Sequence, residues 1–145
     1  MKEPRMWERL RRRFQDRKYR YTYLNSFLDT SIAAQIRALR EARNMSQQDL
    51  AAAIGTRQSG VSALENVNYS RWSLSTLRKL AEAFDVALVV KFVSHGEALE
   101  EVVSFDPERL AKPAFEEDPA FTHRTATSAR QQAGMTRSMD TQQDG

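Results

Sequence analysis

Residues 45–66 read MSQQDLAAAIGTRQSGVSALEN, and this stretch decides the fold. Ser46 is a good N-cap residue, and Asp49 follows three positions later, as in a capping box. Met45 and Leu50 flank that start with the spacing of a hydrophobic staple. These signals predict a helix that ends at Gly55, because glycine readily adopts the left-handed conformation that terminates helices.

A second helix is predicted to follow at once. Thr56 can cap it, and Val61 and Leu64, three positions apart, give it an apolar side. Two helices that cross steeply need a small residue at the crossing, a turn residue tolerant of positive φ, and apolar anchors on the second helix. The residues that meet these needs, in order, are Ala51, Gly55, Val61 and Leu64. The stretch therefore predicts a helix-turn-helix.

Core-facing helices are predicted on both sides of this motif. The first starts near Thr30, ends near Asn44 and places three apolar residues on one face: Ile32, Ile36 and Leu39. After a polar loop, Ser73 caps a second helix, which ends at Phe84. Five of its residues are predicted to form an apolar stripe: Leu74, Leu77, Leu80, Ala81 and Phe84.

The stretch from Ile32 to Phe84 resembles the lambda-repressor-like, or Xre-type, helix-turn-helix family. The strings MSQQDLAAAIG and QSGVSALEN and the order of the helices carry the resemblance, which covers a little over a third of the chain. It implies a five-helix DNA-binding domain. It also implies that the helix from Arg57 to Asn66 enters the major groove, with its N-terminal residues nearest the base edges.

The resemblance also implies the site residues. Gln58 and Ser59 match the base-contacting positions, and Gln47 supports Gln58 and touches a phosphate. A glutamine amide can pair bidentately with adenine, and a serine hydroxyl can serve several bases. The candidate base contacts are Gln58, Ser59, Ser62 and Ala63, the last through a thymine methyl. The candidate supporting and phosphate contacts are Gln47, Arg57, Asn66, Asn68, Tyr69 and Arg71.

The loop after the motif departs from the family pattern. Val67 occupies a position where the family usually has glycine, and the loop up to Ser73 is slightly longer. The phosphate contacts are therefore assigned less directly than the base contacts.

Composition is consistent with one modest domain and its extensions. The chain has 145 residues, of which 41% are hydrophobic. Cysteine is absent, which excludes disulfides and thiolate metal ligands and suits a reducing compartment. No apolar run is long enough for a signal-peptide core or a membrane span, so we expect a cytoplasmic protein with no membrane partner.

Charge is unevenly distributed along the chain. Residues 1–30 carry nine Lys and Arg against four Asp and Glu, whereas residues 96–145 carry five against ten. Apolar residues recur every three or four positions among arginines from Met6 to Phe14, which predicts an amphipathic helix, and an aromatic cluster follows from Tyr19 to Leu28. We interpret this extension as structural, with nonspecific help from its arginines. A DNA-touching arm and a membrane-surface helix are the alternatives.

The apolar run from Val86 to Val93 is rich in β-branched residues and predicts a strand with two apolar faces. A strand needs a partner. The candidates are residues 102–105 of the same chain and the same segment of a second copy, and the second is favoured because the rest of the domain is helical. The sequence therefore predicts a homodimer.

The sequence contains no candidate residues for catalysis or for metal binding. No phosphate-binding loop, nucleophile elbow or pair of carboxylates is present, and His95 and His123 lack any second ligand. Beyond Pro113 the sequence loses its periodicity, and most of the remaining chain is predicted to be disordered. The sequence thus predicts neither an enzyme nor a cofactor.

These patterns together predict a mainly α fold: a five-helix lambda-repressor-like domain followed by a dimerisation strand. The predicted parts are a basic helical extension (1–29), the DNA-binding domain (30–84), a strand and interaction segment (85–112) and an acidic, disordered tail (113–145). The expected function is a regulator, in the form of a repressor, that binds a palindromic operator in double-stranded DNA as a dimer. The alternative is an antitoxin-like module that neutralises a toxin-like protein partner and regulates its own promoter.

Overall fold

A computed structural model describes residues 4–122 of the chain, apart from Ser70. Within that part the structure is helical, and no residue lies in a β-strand. The chain divides into two compact units, Met1–Lys112 and Pro113–Gly145. The α-helices are α1 (Pro4–Arg13), α2 (Arg17–Ala42), α3 (Gln47–Ile54), α4 (Gln58–Leu64), α5 (Leu74–Phe84) and α6 (His95–Val103). Short 3₁₀ helices follow at Pro107–Arg109 and Phe115–Glu117.

Helix α2 is much longer than the sequence predicts. It begins at Arg17, where the side chain of Asp16 accepts a hydrogen bond from the Tyr19 backbone N–H, and not near Thr30. The prediction was wrong because residues 17–42 contain neither glycine nor proline, so nothing interrupts the helix at residue 30. Its 26 residues span about 39 Å at a rise of about 1.5 Å per residue. The boundary predicted between residues 29 and 30 falls inside this helix.

The C-terminal half of α2 packs with α3, α4 and α5 around one hydrophobic core. The most deeply buried large side chains in it are Leu50, Val61 and Phe84, one from each of the three shorter helices. The other buried members are Ile36, Leu39, Ala51, Ile54, Leu64 and Leu80. The apolar residues of the motif thus hold its two helices together in this core, and the polar side of α4 faces outward.

Local signals set the ends of α3 as predicted. Ser46 accepts a hydrogen bond from the Asp49 backbone N–H, and the Asp49 side chain accepts one from the Ser46 backbone N–H, which completes the capping box. The hydrogen bond from the Ser46 backbone N–H, with a smaller contribution from the Ser46 side chain, lowers the pKa of Asp49 below its ordinary value. Gly55 ends the helix with φ of 73°, in the left-handed region.

The start of α4 differs by one residue from the prediction. Arg57 is the N-cap, without a side-chain hydrogen bond, and Thr56 is not. The Thr56 backbone N–H donates to Ala51 O (2.9 Å), so Thr56 still belongs to the end of α3. Its side chain lies against Gly60, where an added Cβ would come within 2.7 Å of Thr56 Oγ1.

A second core joins α1, the N-terminal half of α2 and α6. Its buried residues are Leu10, Phe14, Leu99 and Val102. The ring of Phe14 meets those of Tyr19 (6.1 Å between centroids) and Tyr23 (5.6 Å) edge to face. The N-terminal extension is therefore a packed part of the first unit.

Residues 102–105 do not form the predicted partner strand. Val102 and Val103 close helix α6, which Ser94 caps by accepting a hydrogen bond from the Glu97 backbone N–H. Leu99 and Val102 are three positions apart, so in a helix both reach the second core. This packing removes the partner strand within the chain.

The strand predicted from Val86 to Val93 is also absent, and these residues form neither helix nor strand. Val89, Val90 and Phe92 are 76%, 69% and 106% exposed. The Val86 N–H still donates to Ala81 O, but no backbone hydrogen bond of residues 87–93 to the described part of the chain is present. A strand needs a hydrogen-bonded neighbour, and the described residues of one copy supply none here.

The second unit is described only for residues 113–122. There the rings of Phe115 and Phe121 lie 4.5 Å apart, and Asp118 accepts a hydrogen bond from the Ala120 backbone N–H. The predicted disorder of residues 113–145 falls mostly on residues 123–145, which lie outside the described part, as does His123. Among the helices described, none is long and apolar enough to cross a membrane.

Candidate nucleic-acid interface

Helix α4 carries the candidate base contacts on its outer side. Gln58, Ser59 and Ser62 are exposed, and Ala63 is half-buried. The opposite side of the helix is anchored by Val61 and Leu64, which are 0% and 6% exposed. Because these anchors are buried, the N-terminal turn of α4 presents its polar side chains to the solvent.

A hydrogen-bond chain connects the first residue of α4 to the first residue of α3. Gln58 Nε2 donates to Gln47 Oε1 (2.6 Å), and Gln47 Nε2 donates to Glu65 Oε2 (2.9 Å). Glu65 is the residue that follows the last turn of α4. This hydrogen-bond chain therefore runs from one end of α4, across the start of α3, to the other end of α4.

The hydrogen-bond chain ends at an ion pair between Glu65 and Arg40 of α2. Both side chains are largely buried, with 5% of Glu65 and 13% of Arg40 exposed, and both guanidinium nitrogens Nε and Nη2 donate to the carboxylate. Arg40 Nη1 also donates to Met45 O (2.8 Å), just before α3. The hydrogen bond to Glu65 raises the pKa of Arg40 above its ordinary value. This pair holds α2, α3 and α4 together on the side of the molecule that carries the candidate interface.

The Glu65 carboxylate sets the direction of the two glutamine amides. A carboxylate accepts hydrogen bonds and cannot donate one, so Gln47 must turn its NH₂ group towards it. The Gln47 oxygen then faces Gln58, which must donate through its own NH₂ group. One N–H and the carbonyl oxygen of Gln58 are left for an external partner.

The loop after α4 holds the remaining candidate contacts. Asn66 Oδ1 accepts from the Asn68 backbone N–H, and Tyr69 Oη donates to Arg71 O. The ring of Tyr69 also meets that of Trp72 edge to face, 5.5 Å between centroids, and packs against the first core. Tyr69 is thus partly structural, whereas Arg71 is exposed, as is Arg57 at the start of α4.

The sequence analysis missed Arg40 and Glu65. Each follows an apolar residue of a core-facing helix, Leu39 and Leu64, where a charge is expected to face water. The sequence feature that points to a contact between them is their opposite charge at two positions that both border the predicted core. Nothing in the spacing alone would have placed them in contact, because 25 residues separate them.

Removal of Glu65 is expected to destabilise the domain strongly. Glu65→Ala leaves the buried Arg40 charge without its partner, so the free energy of unfolding should fall by about 3 kcal/mol. The matched control is Arg37→Ala, which removes the exposed i,i+4 pair with Glu41 and should cost less than about 1 kcal/mol. Urea unfolding followed by circular dichroism measures both, and equal losses would contradict the role given to Glu65.

Comparison with known proteins identifies the segment that carries this site. Residues 36–90 match the family model described as helix-turn-helix, a range that includes all the residues of the hydrogen-bond chain. No curated protein and no solved structure matches the chain. Residues 36–90 therefore form a helix-turn-helix domain of the lambda-repressor-like (Xre-type) family, and this domain supports a role in DNA binding and transcriptional regulation.

Proposed function

We propose that the protein is a sequence-specific repressor that reads its operator with the N-terminal half of α4. Gln58 and Ser59 contact base edges, and Ser62 and Ala63 lie one turn further along the same helix. The observation that carries the proposal is the Gln58–Gln47 hydrogen bond, which holds an exposed amide in one direction. A side chain ordered before binding loses less entropy when it meets a base.

The free groups of Gln58 match adenine. Adenine presents an N6 amino donor and an N7 acceptor in the major groove, and a glutamine amide can bind both at once. The Gln58 oxygen would accept from N6, and the N–H that Gln47 leaves free would donate to N7. We therefore assign an adenine as the base read by Gln58.

Phosphates are proposed to be held by the residues that border α4. Arg57 supplies an exposed guanidinium before the helix, and Arg71 supplies another after it. Asn66 uses its side-chain oxygen within the loop, so its NH₂ group can donate to a phosphate. Asn68 and Tyr69 shape this loop, and Gln47 adds a contact from the start of α3.

Gln58→Ala should remove the base preference at one operator position and leave nonspecific binding intact. A bidentate amide contact discriminates by about 1–3 kcal/mol, so affinity for the selected operator should fall about tenfold or more. Fluorescence anisotropy on operator and on random duplex at matched salt measures the two affinities. Ser75→Ala, an exposed residue of α5, is the neutral control. An equal loss on both duplexes would contradict base reading.

The second part of the proposal is that the protein binds a palindromic operator as a dimer. Residues 86–93 of the two copies form the dimer contact. A two-fold dimer places its recognition helices about 34 Å apart, in successive major grooves. The segment offers exposed apolar side chains and unpaired backbone groups, which is what a strand from a second copy requires. Self-pairing would give this segment a partner, which the described part of one copy does not provide.

The pattern of side chains restricts the register of that pairing. If antiparallel copies pair so that even-numbered residues oppose even-numbered ones, one face of the ribbon consists wholly of Val86, Leu88, Val90 and Phe92 from both copies. The other face carries Lys91, and a register with Lys91 opposite itself would place like charges together. Of the remaining registers, those centred on residue 89 or on residue 90 pair the most residues of the segment.

Engineered cysteines test the dimer directly, because the chain contains none of its own. At the centre of a two-fold strand pair a residue faces its own copy, at a Cα separation of about 4.5–5.5 Å that a disulfide can bridge. Either Val89→Cys or Val90→Cys should therefore cross-link rapidly on mild oxidation. Glu82→Cys, on the exposed side of α5, is the control. Cross-linking no faster than this control, or a monomer by analytical ultracentrifugation, would contradict the dimer.

The same exposed segment favours the second candidate function, an antitoxin-like module. In that case residues 86–93 would cover a surface of a toxin-like protein, and DNA binding would serve autoregulation. The two functions differ in what residues 86–93 bind. In a repressor they bind a second copy of the chain, and in an antitoxin they bind a different protein. A partner-free dimer that cross-links through residue 89 or 90 supports the repressor, and a stoichiometric protein partner that displaces this dimer supports the antitoxin.

A further inference from the structure

The outer surface of α1 and the start of α2 is strongly cationic. Six arginines there are exposed: Arg5, Arg9, Arg11, Arg12, Arg13 and Arg17, here called the basic surface. Residues 5–18 hold seven basic and two acidic residues. Within one helix, Arg5, Arg9 and Arg12 follow i, i+4, i+7 spacing and so lie on the side opposite the buried Leu10 and Phe14.

Nothing in the described part of the chain neutralises this surface. The ion pairs present there involve Arg37, Arg40 and Arg109, none of which belongs to it. Of the two carboxylates within residues 5–18, Asp16 is engaged as the N-cap of α2, and Glu8 forms an ion pair with none of the arginines. So many like charges close together repel one another unless an external anion screens them.

Part of the surface is already ordered. The Arg11 guanidinium lies 5.2 Å from the centre of the Trp7 ring, and that of Arg13 lies 5.7 Å from the centre of the Tyr19 ring. Side chains held in this way give up less freedom when they bind an anion. An arginine fork can also hold a phosphate through two hydrogen bonds at once.

The basic surface lies far from the reading helix along α2. Tyr19 contacts α1 at one end of α2, and Arg40 contacts Glu65 of the interface at the other. Tyr19 and Arg40 are 21 positions apart, which corresponds to about 32 Å of helix. One turn of B-DNA measures about 34 Å.

We propose that the basic surface binds the phosphate backbone of DNA about one helical turn away from the bases that α4 reads. The contact recognises phosphates and not sequence, so it strengthens binding to any duplex long enough to reach it. The proposal rests on DNA binding by the helix-turn-helix domain, but not on the assignment of Gln58.

DNA fits this surface better than an anionic membrane does. A helix that binds a membrane surface inserts an apolar face between the lipids. The apolar face of α1 is already used, because Leu10 and Phe14 are 6% and 7% exposed in the second core. What α1 offers outward is charge without an apolar face, which suits a phosphate backbone.

Duplex length tests the proposal. The double variant Arg9→Gln with Arg12→Gln is compared with the unaltered protein by fluorescence anisotropy on random-sequence duplexes of about 12 and about 32 base pairs. On the long duplex we expect about a tenfold loss of affinity and a salt dependence (slope of log K against log salt) smaller by about 2, since each phosphate contact contributes about 0.9. On the short duplex we expect little change, because the duplex cannot reach both surfaces.

Two controls separate this contact from other effects. Arg78→Gln with Lys79→Gln removes the same charge from exposed positions on α5 and should change affinity little on either duplex, whereas Arg9→Lys with Arg12→Lys should keep most of the affinity. Gln58→Ala should leave binding to both random duplexes unchanged, so failure of the base-reading proposal is distinguishable.

Several outcomes would overturn the inference. These are an equal loss on the short and long duplexes, a loss no greater than that of the α5 control, and no loss at all. Arginine-dependent binding to vesicles that contain phosphatidylserine, without an effect on the long duplex, would assign the surface to a membrane.

Discussion

The Glu65 carboxylate receives hydrogen bonds from two directions, from Arg40 of α2 and from Gln47 of α3, while its own residue closes α4. Taking both charges of this ion pair out of water is costly, and the pair is favourable only because its geometry leaves few polar groups unsatisfied. Replacement by packed apolar residues could give equal stability. It could not give a directed row of amides that ends at an exposed side chain.

Helix α2 is the element that connects the two halves of the first unit. Its C-terminal half contributes Ile36, Leu39 and Arg40 to the helix-turn-helix side, and its N-terminal half contributes Tyr19 and Tyr23 to the core shared with α1 and α6. Because α2 is one unbroken helix, the positions of its two ends are fixed relative to each other. The proposed base contacts and the proposed phosphate contacts are therefore placed relative to each other by one rigid rod.

Local chemistry made much of the fold predictable. The capping box of Ser46 and Asp49, the left-handed Gly55, the cap at Ser73 and the buried Val61 and Leu64 each follow from a residue type at a position where few others serve. Resemblance to the family placed Gln58 next to Gln47, and the two are hydrogen-bonded. The contact to DNA that this pair would make is a proposal.

Tertiary context decided the features that the sequence analysis missed. The β-branched run at residues 86–93 has strand propensity, but a strand also needs a neighbour, and residues 4–122 as described supply none within one copy. The prediction of a partner strand at residues 102–105 was wrong, because the Ser94 cap and the three-residue spacing of Leu99 and Val102 favour a helix that packs in the second core. The contact between Arg40 and Glu65 depends on how three helices pack, and no local pattern encodes it.

The proposed direction of the Gln58 amide depends on the Glu65 carboxylate, which can accept hydrogen bonds but cannot donate one. In Glu65→Gln, residue 65 can donate as well as accept, so Gln47 and Gln58 can both turn over, and Gln58 can then offer two N–H groups to the N7 and O6 acceptors of guanine. Arg40→Met is added so that no buried charge is left unpaired.

Selection of bound sequences from random DNA, at a temperature where circular dichroism shows both proteins folded, measures the base preference. We expect the unaltered protein to select adenine at the position that Gln58→Ala makes indifferent, and the double variant to accept adenine and guanine there about equally. An unchanged preference for adenine in the folded double variant would contradict the account.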